Sequence, residues 1–319
     1  MKVLSGIQPS GKLHLGNYFG AIRQYVRMQE EHDCFFFVAN YHAMTTVHEG
    51  KTLRQLSLDV AADFIALGLD PERSAIYLQS DLPEVTELTW ILSTVTPMGL
   101  LQRCHAYKDK IAQGLSPDHG LFAYPVLMAA DILIHNSRLV PVGQDQKQHV
   151  EVTRDIGQRF NTMYGEIFTL PEPYILDDVA VVPGVDGRKM SKSYENTIGM
   201  FEPEKQLRKK IMAIKTDSTP VEEPKDPDRC NVFALFRLFA PEPEREEVAQ
   251  RYREGGIGYG EVKKRLFELM LDHFGPARER RKELAENPDL IRKALDRGAE
   301  KGRESAAPVM EAVRRAVGT

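Results

Sequence analysis

The stretch that decides the fold is Ser5-Gly6-Ile7-Gln8-Pro9-Ser10-Gly11-Lys12-Leu13-His14-Leu15-Gly16-Asn17. Residues 1–7 read as a short strand. Pro9 to Lys12 read as a turn, because proline fixes φ where glycine frees it. From Leu15 onward, Tyr18, Phe19, Ile22 and Val26 recur at helical spacing. A strand therefore feeds a glycine-rich turn that opens a helix. The start of a helix offers free backbone N–H groups and the positive end of a dipole, a setting suited to phosphate. Gly6, Gly11 and Gly16 would let a ligand approach the backbone, and His14 and Asn17 add polar groups at the same mouth. By itself such a turn also reads as a plain strand-to-helix connection whose glycines serve packing.

The residues that follow repeat the pattern. Asp33-Cys34-Phe35-Phe36-Phe37-Val38-Ala39 is a short apolar run, as expected of a strand buried on both faces. His42 comes just after it, where ligands of open parallel sheets bind. Residues 51–67 form an amphipathic helix that Gly68 ends, and Ser74 to Gln79 is the next strand. Residues 84–104 read as helix, broken at Pro97-Met98-Gly99, and Tyr107-Lys108-Asp109-Lys110 as a polar loop segment. Arg138 to Val142 is a strand, and Gly143-Gln144-Asp145-Gln146 opens a second helix, running to Phe160, at a second glycine mouth. Val179 to Val182 reads as a last buried strand. This alternation argues for a doubly wound parallel α/β sheet of Rossmann-like type over residues 1–193.

Residues 121–134 are an apolar helix interrupted by one carboxylate, Asp131. Burying an unpaired carboxylate costs several kcal/mol or more, roughly, so Asp131 either reaches water or meets a hydrogen-bond donor. Tyr124, Met128 and Asp131 share a face at spacings of four and three. After Asn196 strands disappear. Residues 204–215, 231–240, 244–253, 260–274 and 306–317 all read as helices, so 194–319 is expected to be an all-helical domain. It carries basic clusters at Lys205, Arg208, Lys209 and Lys210, at Lys263, Lys264 and Arg265, and at Arg278, Arg280, Arg281 and Lys282. Most should be solvated helix faces, with a few left to reach RNA phosphates.

The chain has 319 residues, 42% of them hydrophobic and 28% charged, an ordinary globular balance with room for two domains. A net charge of −4 means that any nucleic-acid contact must use local basic patches. Cys34, Cys104 and Cys230 are too sparse for a zinc or iron–sulfur set and read as small core residues in a reducing cytoplasm. Met1 to Gly6 is too short to read as a signal peptide, and no apolar run is long enough for a bilayer.

A second stretch, Gly187-Arg188-Lys189-Met190-Ser191-Lys192-Ser193, gives the first turn its meaning. Paired with His14-Leu15-Gly16-Asn17, it resembles the HIGH and KMSKS signatures of class I aminoacyl-tRNA synthetases. Gly6-Ile7-Gln8-Pro9-Ser10-Gly11, with Asn17 in place of the last histidine, resembles the bacterial-type tryptophanyl members. The resemblance covers nearly the whole chain. It implies ATP-dependent activation of tryptophan and transfer to tRNA(Trp), with magnesium riding on the ATP, a homodimer, and a helical part that binds the anticodon. It places Gln8, Pro9, Ser10, Gly16, Asn17, Gly143, Gln144, Asp145, Lys189, Met190, Ser191, Lys192 and Ser193 around ATP. His14, Lys110, Lys189 and Lys192 would act on the phosphates. Gly6, His42, Tyr124, Met128, Asp131, Val140, Val142 and Gln146 would hold tryptophan, with Asp131 accepting from the indole N–H. The alternatives are the sister tyrosyl enzyme and a small-molecule nucleotidylyltransferase, which shares the first turn but needs neither the helical part nor the second signature.

Overall fold

The computed structural model describes residues 1–112, 118–143, 147–175 and 181–319. β1 (Lys2–Ile7) leads to α1 (Leu15–Asn17), a π-helical turn at Tyr18–Ile22 and α2 (Arg23–Met28). β2 (Asp33–Val38) leads to α3 (Asn40–Ala43) and α4 (Gly50–Ala66). β3 (Ala75–Leu78) leads to α5 (Glu84–Ser93), α6 (Met98–Leu101), α7 (His105–Ala112) and α8 (His119–Leu133). β4 (Leu139–Val142) leads to α9 (Lys147–Tyr164), and β5 (Glu172–Ile175) follows. The chain then runs through α10 (Glu204–Met212), α11 (Asn231–Phe236), α12 (Glu242–Glu254), α13 (Tyr259–Glu286) and α14 (Pro288–Val317).

Among the described residues the sheet has five strands in the order β3-β2-β1-β4-β5, all parallel. The order reverses between β1 and β4. In such sheets a crevice opens beyond the carboxyl ends of the strands at that point. The ends of β1 and β4, with Gly6 and Val142, therefore flank the crevice. The central strands are buried as their apolar runs require: Val3, Leu4, Phe35, Phe36 and Ile76 are shielded from solvent. Tyr25 of α2 stacks on Phe36 at 4.5 Å and ties its hydroxyl to Ser5 Oγ at 2.6 Å, so α2 is fixed to β1 as well as β2.

Several expectations need correction. β5 was not expected; its Pro173 weakens the strand pattern, yet proline is tolerated on an edge strand. The strand expected at Val179 to Val182 lies partly outside the described residues, and Val181 and Val182 form none. Tyr107 to Lys110 belong to α7 rather than to a loop. α13 and α14 run far beyond their expected bounds because neither Pro276 nor Pro308 ends the helix.

The helical part is not self-contained. α14 returns to the sheet and lies on the edge strand β3. A Cβ on Gly298 would sit 1.9 Å from the Ile76 carbonyl oxygen, so only glycine permits that approach. Arg314 pairs with Glu87 of α5, and Lys2 Nζ donates to Ser305 Oγ at 2.9 Å. α13 is anchored to α4, where Arg281 Nε donates to Asp63 (2.7 Å) and its Nη2 to Asp59 (2.8 Å). One apolar cluster runs from Val3 and Phe36 through Met190 and Ile198 to Val232, Tyr252 and Leu266.

Candidate active site

The first turn and the second signature meet. Lys192 Nζ donates to the Gly11 carbonyl at 3.0 Å and lies 3.4 Å from Ser10 Oγ. Gly11 has φ +138°, and the space beside it is taken by the Lys192 side chain. Burial lowers the Lys192 pKa. Met190 is buried and its Cβ lies 3.7 Å from where a Gly16 side chain would begin. Leu15 N also donates to the Ile198 carbonyl at 2.9 Å, just past the loop. Segments about 180 positions apart in sequence are thus joined by side-chain and backbone contacts.

α1 begins with a capping box. Asn17 Oδ1 accepts from His14 N at 3.0 Å, and His14 Nδ1 accepts from Gly16 N at 3.2 Å. Because Nδ1 is an acceptor, the proton of the neutral ring sits on Nε2. Burial, then the nearby Lys192 charge, push the His14 pKa down to about 4, so the ring is neutral near pH 7. The ring therefore carries an Nε2–H donor and no charge.

The loop itself is built on Asn196, which the sequence reading passed over. Its Nδ2 donates to Asp186 Oδ1 (2.7 Å) and to the Lys189 carbonyl (3.2 Å), while its Oδ1 accepts from Ser191 N (2.8 Å). The Asn196 hydrogen bond, with Arg188 beside it, holds the Asp186 carboxyl low. A short antiparallel bridge between Pro183 and Lys189 closes the turn, and Ser193 N donates to Ser191 Oγ. Lys189 is exposed.

In α8, Asp131 is 4% exposed, so it does not reach bulk water. Nor is it the lone polar group that its apolar helix suggests. His42 Nε2 lies 2.8 Å from Asp131 Oδ2, and Gln79 Nε2 donates to both carboxylate oxygens at 2.9 Å. Gln79 Oε1 accepts in turn from the backbone N–H groups of Tyr41 and His42. Burial raises the Asp131 pKa, and the His42 and Gln79 bonds oppose that rise. Gln79 was missed, although it stands at the carboxyl end of β3 as His42 stands near that of β2. A carboxylate has about four lone-pair positions, so Asp131 keeps capacity for another donor.

The remaining expected residues are placed as follows. Tyr124 sits edge-on to His42 at 6.1 Å, with its hydroxyl 3.1 Å from His149 Nε2. Met128 and Val142 are half-buried and Val140 is buried. Gln8 and Ser10 are exposed and Pro9 is buried, while Gly143 is half-buried after β4. Gly6 is exposed, and a Cβ there would lie 2.6 Å from the Phe37 ring, so packing also calls for glycine at this position. Gln144, Asp145 and Gln146 lie outside the described residues, as does the side chain of Lys110 in α7.

Residues 1–275 match the family model of class I tRNA synthetases for tryptophan and tyrosine. A tryptophan--tRNA ligase of Rhodopirellula baltica is 54% identical over 318 residues, covering 100% of this chain and 99% of its own. The tryptophanyl-tRNA synthetase of Campylobacter jejuni, solved with ADP and tryptophan, is 55% identical at a TM-score of 0.94, with 100% of both chains covered. The Mycoplasma pneumoniae tryptophanyl-tRNA synthetase keeps a TM-score of 0.83 at 28% identity, over 100% of this chain and 97% of its own. These matches support the tryptophan reading over the tyrosyl and nucleotidylyltransferase alternatives. With both signatures joined at one crevice and full-length relatives of one activity, the chain belongs to the bacterial tryptophanyl-tRNA synthetases of class I, enzymes that are tryptophan--tRNA ligases.

Proposed function

We propose that this ligase forms tryptophanyl adenylate in the crevice between β1 and β4 and then passes the tryptophanyl group to tRNA(Trp). In the first step a tryptophan carboxylate oxygen bonds to the α-phosphorus of ATP while the bond to the bridging oxygen breaks and pyrophosphate leaves. The attacking oxygen is already ionised at neutral pH, so no general base is required. Positioning and charge neutralisation carry the rate. His14 Nε2–H and the α1 backbone face the phosphates, and Lys189, Lys192 and Lys110 neutralise the leaving pyrophosphate. Gln8, Pro9, Ser10, Gly16 and Asn17 cradle the nucleotide from the first turn, and Met190, Ser191 and Ser193 from the loop. Gly143, Gln144 and Asp145 meet it from the β4 side. Magnesium arrives as part of the ATP substrate. In the second step a ribose hydroxyl of the tRNA's terminal adenosine, by resemblance the 2′ one, attacks the carbonyl and AMP leaves.

Asp131 accepts from the indole N–H. A site that hydrogen-bonds a substrate group rejects analogues lacking it by roughly 10⁴–10⁵, which excludes phenylalanine. The shape set by Gly6, Tyr124, Met128, Val140 and Val142 excludes tyrosine, and Gln146 reads the amino group. The exposed cations of the helical part, Lys205, Arg208, Lys209 and Lys264, are free to meet tRNA. Lys263, Arg278 and Arg281 are committed within the protein instead.

A homodimer of cytoplasmic chains completes the reading. A second copy would cover the cavity of about 420 Å³ between α3, α5 and α8, which Met44 (54% exposed), Leu121, Ala123 and Leu127 line. Among the described residues no helix is long and apolar enough to cross a membrane.

The single observation that carries this reading is the Lys192–Gly11 contact, which brings the two signatures to one place. ATP–pyrophosphate exchange across the twenty amino acids tests it. Exchange should depend on tryptophan; exchange supported better by tyrosine overturns the specificity. Sedimentation as a monomer at micromolar concentration would remove the dimer.

A further inference from the structure

A cavity of about 470 Å³ opens beside the second signature, between the Asp186–Arg188 turn, the Lys215–Asp217 segment after α10 and the start of α11. None of the residues assigned above to ATP or tryptophan lines it. Three cations face it: Arg188, Lys215 and Arg229. Its two carboxylates are already engaged. Asp186 accepts from Asn196 and Arg188, and Asp217 accepts from the Tyr259 hydroxyl (2.7 Å) and from Thr219 N (2.9 Å). Among the described residues, the side chains of Lys215 and Arg229 have neither an ion pair nor a hydrogen bond, and both are exposed. The cavity thus holds uncompensated positive charge open to a large ligand.

Its walls are tied to the catalytic loop. Gly187 has φ +86°, and a Cβ there would lie 2.5 Å from Asn231 Nδ2. That Nδ2 donates to the Lys215 carbonyl at 3.0 Å, and Lys215 N donates to the Val185 carbonyl at 2.7 Å. The backbone that presents Lys215 is therefore bonded to the turn that carries Lys189 and Lys192.

The geometry points to this cavity as a seat for a backbone phosphate of the tRNA, gripped by Lys215 and Arg229. The inference rests on the tRNA-ligase reading. It adds a contact that would report tRNA binding to the loop acting on ATP. Free pyrophosphate offers the same chemistry on a smaller body, and the test separates the two.

The full-length Lys215→Ala/Arg229→Ala variant is compared with wild type by two assays. In tRNA aminoacylation, kcat/KM for tRNA should fall about 10-fold, and its decline between about 50 and about 200 mM salt should become shallower by about one to two in log–log slope. In ATP–pyrophosphate exchange, which needs no tRNA, KM for tryptophan, ATP and pyrophosphate should stay within about two-fold, because the cavity touches no substrate of that step. The charge-keeping Lys215→Arg/Arg229→Lys variant should restore most of the loss. An unchanged kcat/KM for tRNA overturns the inference. So does a raised KM for pyrophosphate, which would mark a free-anion site, or an exchange rate that falls in parallel, which would mark mere support of the loop. Wild-type protein lacking tryptophan-dependent exchange would instead sink the ligase reading itself.

Discussion

The two halves of the proposed site are made in opposite ways. The proposed phosphate side consists of backbone, a neutral histidine and a lysine on a loop, and its key contact is one ammonium on a carbonyl. The proposed indole side is a buried polar cluster in which His42 and Gln79 brace Asp131 and leave it capacity for one more donor. A charged group that acts on ATP has to approach and withdraw, so it belongs on a loop. A group proposed to tell tryptophan from phenylalanine must hold one geometry, and Asp131 is buried and braced from α3 and the end of β3. Damage to the first side should therefore appear in rate, and damage to the second in both recognition and stability.

The largest effect expected is from Lys192→Ala. Tryptophan-dependent pyrophosphate exchange should slow by roughly 10²–10³-fold, with the melting temperature and KM for tryptophan nearly unchanged. A fall in tryptophan affinity as large as the fall in kcat would make Lys192 structural and erase the contrast. Asp131→Asn comes next. It turns an amide toward the Gln79 amide and should lower kcat/KM for tryptophan by about 10- to 100-fold while leaving KM for ATP alone. It should also destabilise the fold by about 1–3 kcal/mol. An unchanged KM for tryptophan would remove Asp131 from the pocket. Gln79→Met keeps the volume but deletes the brace, and should raise KM for tryptophan by about 3- to 10-fold with a loss of about 1–2 kcal/mol in chemical denaturation. If only stability moves, Gln79 supports the fold and not recognition.

The smallest effect concerns pH. The His14 pKa is held at about 4, and that of buried His135, also mainly by burial, at about 3, against 6.5 for either ring in water. Below pH 6.5 the unfolded chain takes up protons that the folded chain refuses. The stability owed to these rings is therefore present above pH 6.5 and is lost as pH falls from there, toward 4 for His14 and toward 3 for His135. His14→Asn keeps a good cap and removes one of the two rings. Its melting temperature should decline less steeply than that of wild type over that interval, and an identical decline would mean that His14 takes a proton in the folded state.

Much of this was legible in sequence because it is local. The strand–glycine–helix turn at Ser5–Asn17, the apolar run before His42 and the helix around Asp131 follow from spacing and residue type within a dozen positions. The pairing of the two short signatures named the family. What the chain alone did not display were groups whose meaning lies across space. Gln79 is an ordinary polar residue until α8 brings Asp131 against it. Asn196 is a linker residue until the loop folds around its amide. Gly6 reads as room for a ligand, and its pairing with Phe37 across β1 and β2 adds a packing demand for glycine that the chain alone does not display.

The last helices make the same point on a larger scale. Sequence determined that residues beyond 196 are helical, since periodicity and strong helix formers act over a few turns. It could not say that α14 leaves its neighbours and lies on β3, because that choice rests on one glycine facing a distant carbonyl and on Arg314 reaching Glu87. Local pattern fixed the elements and the two signatures. Only the tertiary structure decided which buried donors complete Asp131, which cations remain unpaired, and how the loop is tied to the helices, because each depends on long-range contacts that no short window contains.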